Sequence, residues 1–183
     1  MVLGPLVLLL SACGLGADPS PTIVNSHDVP YKLLAPATTT TQVGPQREYV
    51  TIYLDGPQHL VPFSTALPPP VTVRKVLAAL DKGPTSTQAA QGLKSPISTA
   101  APLSLASDAG GTVTVDVGSG FTALAEQDQA IAAAQLVYTL TALPHVTSVV
   151  IRIDGKHAKV PTGTGTLSGQ PLTRADYASL API

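Results

Sequence analysis

The side chains able to carry chemistry in this chain are few and widely spaced. The single cysteine, Cys13, closes an apolar run from Met1 to Ala12 that ends in the small residues Ser11 and Ala12. An apolar stretch ending in small residues reads as a secretory signal, which makes Cys13 the candidate site of covalent modification. His27, His59, His145 and His157 have no carboxylate or thiol at metal-ligand spacing. Ser119 lies in Gly118-Ser119-Gly120, without the Gly-x-Ser-x-Gly elbow of a hydrolase. Gly163-Thr164-Gly165 lacks the lysine and following helix of a phosphate loop. Asp116 and Asp154 are the carboxylates that could pair, but an exposed strand face and a turn account for them. Tyr49, Tyr53 and Tyr138 are expected to supply core and sheet-edge packing; Tyr138, off the apolar stripe of its helix, is alternatively a contact residue. The residues therefore predict no enzyme, no metal and no cofactor.

The elements around Cys13 support the signal reading. A bilayer core about 30 Å thick needs roughly 20 apolar residues in a helix, and residues 1–12 are too few to span it. No Lys or Arg precedes Lys32, so a basic segment upstream of Met1 is expected. Leu10-Ser11-Ala12-Cys13, followed by Gly14, resembles a bacterial lipobox. That resemblance implies a thioether-linked diacylglycerol on Cys13, which then begins the mature chain at the extracytoplasmic face of the cell membrane.

Residues 13–46 read as the lipidated cysteine and a Pro/Thr-rich tether. The stretch holds Asp18-Pro19-Ser20-Pro21, Ala35-Pro36-Ala37 and Thr38 to Thr41, and proline favours an extended, semi-rigid spacer. Tyr31-Lys32-Leu33-Leu34 is a small apolar island within it, read as cover for the domain edge or as a docking motif.

Composition narrows the class. Lys+Arg 10 against Asp+Glu 11 gives a net charge of −1, and charged residues make up 11%, well below the usual quarter. No basic stripe is present to neutralise phosphates, so nucleic acid is not an expected partner. One cysteine excludes an intramolecular disulfide. Trp is absent and aromatics are 4%, a poor basis for a carbohydrate-stacking platform.

Residues 47–183 read as one domain. Tyr49–Leu54 and His59–Phe63 are a strand pair around Asp55-Gly56-Pro57. Thr72 caps a helix whose Val73, Val76, Leu77 and Leu80 share one face, and Gly83-Pro84 stops it. Thr85–Lys94 suggests a short helical turn and Ser104–Ala106 a strand. Thr112–Val117 alternates as a half-buried strand does, and Phe121–Leu124 forms a turn plugging the core edge. The longest helix is predicted from Glu126 or Gln127 to Leu143, with Ala132, Ala133, Leu136, Val137, Leu140 and Leu143 inward and Asp128, Gln135 and Thr139 away from the stripe's centre. Val146–Ile153, the turn Asp154-Gly155 and Lys156–Val160 make a last hairpin. A Gly/Thr/Ser loop over 162–170 and a terminal helix capped by Thr173 follow. The expected fold is α+β, two-layer, with a mainly antiparallel sheet and two principal helices on one face.

Leu80-Asp81-Lys82-Gly83-Pro84-Thr85, Ala134-Gln135-Leu136-Val137-Tyr138-Thr139-Leu140-Thr141 and Val149 to Gly155 together resemble the signatures of the GerMN, or sporulation and spore germination, domain. The resemblance covers about Tyr49 to Pro182. It implies an envelope-anchored, non-enzymatic module of Gram-positive bacteria, often a lipoprotein, whose relatives serve spore assembly, germination or signalling-linked roles. The function expected is a lipid-anchored binding or scaffold lipoprotein that presents one such domain to an unknown envelope protein or cell-wall partner. A small-ligand or peptidoglycan-binding accessory lipoprotein is the alternative.

Overall fold

The computed structural model describes residues 46–100 and 102–183. Cys13, His27 and Tyr31–Leu34 lie outside the described residues. The chain opens with an antiparallel hairpin, β1 (Glu48–Asp55) and β2 (Leu60–Leu67), in which Tyr53 faces Pro62 and Ile52 faces Phe63. β2 runs on to Leu67, past the predicted end at Phe63, and it tolerates Pro62 because the missing N–H falls on the outer edge.

Helix α1 (Val73–Asp81) buries Val73, Val76, Leu77 and Leu80, as its spacing predicts. Thr72 caps it by accepting the Lys75 N–H at 3.4 Å, and Gly83 leaves it at a φ of +67°, a conformation that favours glycine. Short helices α2 (Ser86–Ala90) and α3 (Pro96–Thr99) follow. The Pro-initiated turn α3 was not legible in the sequence.

A four-stranded sheet then forms in the order β3 (Leu103–Ala109), β4 (Thr112–Val117), β5 (Ser148–Ile153), β6 (Lys156–His157). Val113, Val115, Val117, Val149 and Ile151 are buried while Thr112, Thr114 and Asp116 are only half-buried. One face is therefore packed and the other meets solvent. Helix α1 lies against β3 and α5 (Glu126–Leu140) against β5, and the two helices touch one another. This is the two-layer α+β arrangement. Helix α4 (Gly120–Ala123) sets Phe121 into the core edge at 1% exposure.

The structure alters three predicted elements and sets one pairing direction that the sequence reading did not specify. β4 and β5 pair in parallel, because α5 intervenes and a crossover helix returns the chain in the same direction. Helix α5 ends at Leu140, and single tight turns carry the chain through Thr141 to Leu143. The last predicted strand divides: β6 completes the turn at Asp154-Gly155, whose φ values are +47° and +74°, whereas β7 (Val160–Pro161) pairs with β8 (Leu167–Ser168) inside the predicted loop. The terminal helix is 3-10, Arg174–Leu180, with Thr173 and Asp176 exchanging cap hydrogen bonds. Among the described residues, no helix is long and apolar enough to cross a membrane.

Candidate functional site

Helix α5 is buried on every side from Ala130 to Leu140, not along one stripe. Gln135 and Thr139, expected away from the centre of the apolar stripe, are 0% and 1% exposed. Their place follows from the open edge of β1. The N–H of Tyr53 donates to Thr139 Oγ1 at 3.1 Å. The Gln135 Nε2 donates to the Tyr53 carbonyl at 3.1 Å and to Ser95 Oγ at 3.3 Å. Gln135 Oε1 accepts the Ile97 N–H at 3.3 Å. Residues four apart share a helix face, so this pair acts as a substitute strand for one residue of β1. The next outward residue, Asp55, completes the edge by exchanging backbone hydrogen bonds with Lys94, both at 2.9 Å. A buried peptide group without such partners would cost about 1–3 kcal/mol.

Tyr138 extends the same attachment. Its ring packs on Tyr53 at 5.4 Å between centroids, and the Arg174 guanidinium lies 5.2 Å from the Tyr138 centroid and 5.9 Å from that of Tyr53. Arg174 also donates to Thr141 Oγ1 at 2.8 Å and to the Tyr138 carbonyl at 3.2 Å. Tyr53 and Tyr138 therefore pack in the core as expected. Tyr49 does not: it is 73% exposed, near the start of β1.

The other candidates are not brought into one place. His59 stands half-buried in the turn before β2, its Nδ1 without a partner among the described residues. His157 is exposed on β6. Ser119 leads into α4, where its carbonyl accepts from Thr122 Oγ1 at 2.8 Å. Asp116 accepts the Gly155 N–H at 2.8 Å, and Arg152 donates to the Gly155 carbonyl, so both residues hold the β5–β6 turn. Asp116 and Asp154 thus have separate structural places in and beside that turn. His145 meets Asp108 at 3.4 Å near the surface, a pairing hidden in the sequence by the separation of its partners. Among the described residues, no group of three His, Cys, Asp or Glu could hold a metal ion.

A hollow of about 340 Å³ is lined by Asp55, Lys94 and Asp128. Burial pushes the Asp55 carboxyl above its ordinary value of 3.8, Lys94 opposes the shift and Asp128 adds to it. A raised folded-state value contributes stability below the unfolded value, and that contribution is lost as pH rises through the folded one. Asp55→Asn is therefore expected to raise the thermal midpoint at pH 7, with the gap closing below about pH 4. Solvent screening at this half-buried site keeps the gain under about 1 kcal/mol. Thermal melts of both proteins at the two pH values check it.

The main cleft on the hairpin side, about 420 Å³, runs between β2 and the end of α1. Ile52, Leu54 and Phe63 line one side, Ala79 and Leu80 the other. Lys82, Gly83 and Thr85, from the loop that follows α1, complete it with Gln88. The positive φ of Gly83 turns the chain there and brings Thr85 to cap α2, where it accepts the Gln88 N–H at 3.3 Å. Two of the distinctive sequence stretches thus have physical jobs: one builds the cleft wall, and the other seals the opposite edge of the hairpin.

These features define a two-layer α+β domain in which a hairpin is clamped to a central helix beside an apolar cleft. Residues 51–159 match the model of the Germane family, described as sporulation and spore germination, and the chain belongs to that family. The tandem GerMN domains of the sporulation protein GerM from Bacillus subtilis are similar in structure, with a TM-score of 0.54 and 20% identity over 72% of this chain and 48% of that one. This chain therefore spans about half the length of that tandem-domain structure. The first GerMN domain of the same protein gives a TM-score of 0.52 and 19% identity over 70% of this chain and 98% of that one. At these identities the likeness is one of fold. No curated protein gives a significant match.

Proposed function

We propose that this protein is a lipid-anchored extracytoplasmic lipoprotein whose Germane domain acts by binding an envelope partner, without catalysis. The observation that carries this reading is the cleft between β2 and α1, walled by Lys82, Gly83 and Thr85 of the first family signature. Support for a binding role also comes from the dispersal of His59, His145, His157 and Ser119 over separate turns and edges. Support for the anchor comes from the sequence Leu10-Ser11-Ala12-Cys13. Each buried CH₂ of an acyl chain contributes about 0.8 kcal/mol, and two chains hold a protein stably at a bilayer.

Cys13→Ser tests the anchor. In cell fractionation the wild-type protein is expected in the membrane fraction, with an intact mass that includes a diacylglycerol thioether. The variant is expected in the soluble fraction or as unprocessed precursor. A variant processed normally and still held in the membrane fraction, or a wild-type sulfur found unmodified, overturns it.

A further inference from the structure

The two edges of the β1–β2 hairpin are treated differently. On β1, side chains of α5 close the edge at Tyr53, and Lys94 closes it at Asp55. On β2, no described strand other than β1 is paired. Because the peptide groups of Tyr53 point away from β2, alternation along an antiparallel pair turns those of its partner Pro62 outward too. The same holds for Ser64 and Ala66, the partners of Thr51 and Tyr49. The outward groups of β2 are thus the Pro62 carbonyl and the N–H and C=O of Ser64 and Ala66. No described residue bonds to the backbone of Ser64 or Ala66. Pro62 lacks an N–H, so strand pairing along this edge must begin beyond it.

Ser64 and Ala66 both line the cleft of about 420 Å³, with apolar surface from Phe63, Leu67 and Leu80 beside them. Among the described residues, exposed Lys82 is the sole charged one lining it. An unpaired edge beside an apolar trough, with a cation within reach, is complementary to an extended backbone bearing alternate apolar side chains and a negative charge.

We propose that this cleft takes an extended peptide segment of a partner protein. The segment adds as a third strand on β2 at Ser64 and Ala66, seats an apolar side chain against Phe63 and Leu80, and places an acidic residue at Lys82. Hydrogen bonds to the backbone hold the segment, while the trough and Lys82 select its side chains. This deepens the binding-module reading and is independent of the lipid on Cys13, so the fractionation experiment and the following titration fail separately.

The test is titration of the ¹⁵N-labelled full chain, carrying Cys13→Ser, with a blocked eight-residue peptide of alternating valine and threonine containing one aspartate. Saturable amide shifts are expected at Ser64, Ala66 and the end of α1. Ala66→Pro removes an edge donor in the same way that Pro62 already lacks one, and should weaken binding at least about tenfold. Lys82→Glu, on the exposed loop, should weaken the aspartate peptide about tenfold and favour its lysine counterpart. N-methylation of the peptide on its paired side should abolish the shifts. Absence of saturable shifts up to millimolar peptide overturns the proposal, as do shifts confined to other surfaces. Equal binding by a folded Ala66→Pro variant, or indifference to the charge at Lys82, overturns it as well.

Discussion

Replacing Gln135 by methionine is expected to cost about 3 kcal/mol of folding stability, although the change conserves volume and increases hydrophobicity. Gln135 is fully buried, so a transfer argument alone predicts a gain. The hydrogen bonds decide the sign. Without the amide, the Tyr53 carbonyl and the Ile97 N–H lose their partners inside the core, and each orphaned group costs about 1–3 kcal/mol. Thr139→Val conserves shape and orphans only the Tyr53 N–H, so about 1–2 kcal/mol is expected. The double variant should lose less than the sum of the two, because both side chains hold the same residue of β1 and either loss frees that edge. Urea unfolding with an unchanged slope would read these values from the shift in midpoint. A Gln135→Met protein within about 1 kcal/mol of wild type would show that the strand edge is satisfied by other means.

The same two residues show where sequence reasoning stopped. Elements whose partners are local were legible. Thr72 and Gly83 bound α1 where capping chemistry requires, and the alternation of Val113, Val115 and Val117 marks the packed face of β4. The α+β class followed from such patterns, while the family resemblance rested on the three stretches Leu80–Thr85, Ala134–Thr141 and Val149–Gly155. Gln135 and Thr139 read as lying away from the centre of the apolar stripe, because polar side chains normally flank such a stripe. They face inward because β1, some 80 residues away in sequence, presents an unpaired edge there. The parallel direction of the β4–β5 pair was within reach, since the helix predicted between them is a crossover, but a β-branched strand carries no mark of which strand becomes its neighbour. The cleft needed two facts that no single segment holds: the outward phase of Ser64 and Ala66, and the return of the Lys82–Thr85 loop beside them. The motif that contains Lys82 was visible; the edge it borders was not.

The alkaline limit of stability is expected to depend on Tyr177. This side chain is fully buried at the kink between two 3-10 turns, and its hydroxyl donates to the Pro161 carbonyl at 3.1 Å. Burial first, and the Asp176 charge second, push its phenol far above the ordinary value of 10. An unfolded chain therefore releases this proton near pH 10 while the folded chain retains it. The sign follows from linkage: the contribution of a raised group is complete below the unfolded value and is lost as pH rises above it. The slope approaches about 1.4 kcal/mol per pH unit for one fully linked tyrosine. Burial also raises Tyr138, which the nearby Arg174 partly offsets, so some slope persists without Tyr177. Tyr177→Phe is expected to lose about 1 kcal/mol near pH 7, where the Pro161 carbonyl loses its donor. Between pH 10 and 12, however, the variant should lose stability less steeply, so that the two curves converge. Urea titrations at intervals across that range separate the possibilities. Parallel curves would mean that the phenol ionises as readily in the folded chain as in the unfolded one, and that the 3-10 segment opens to let water reach it.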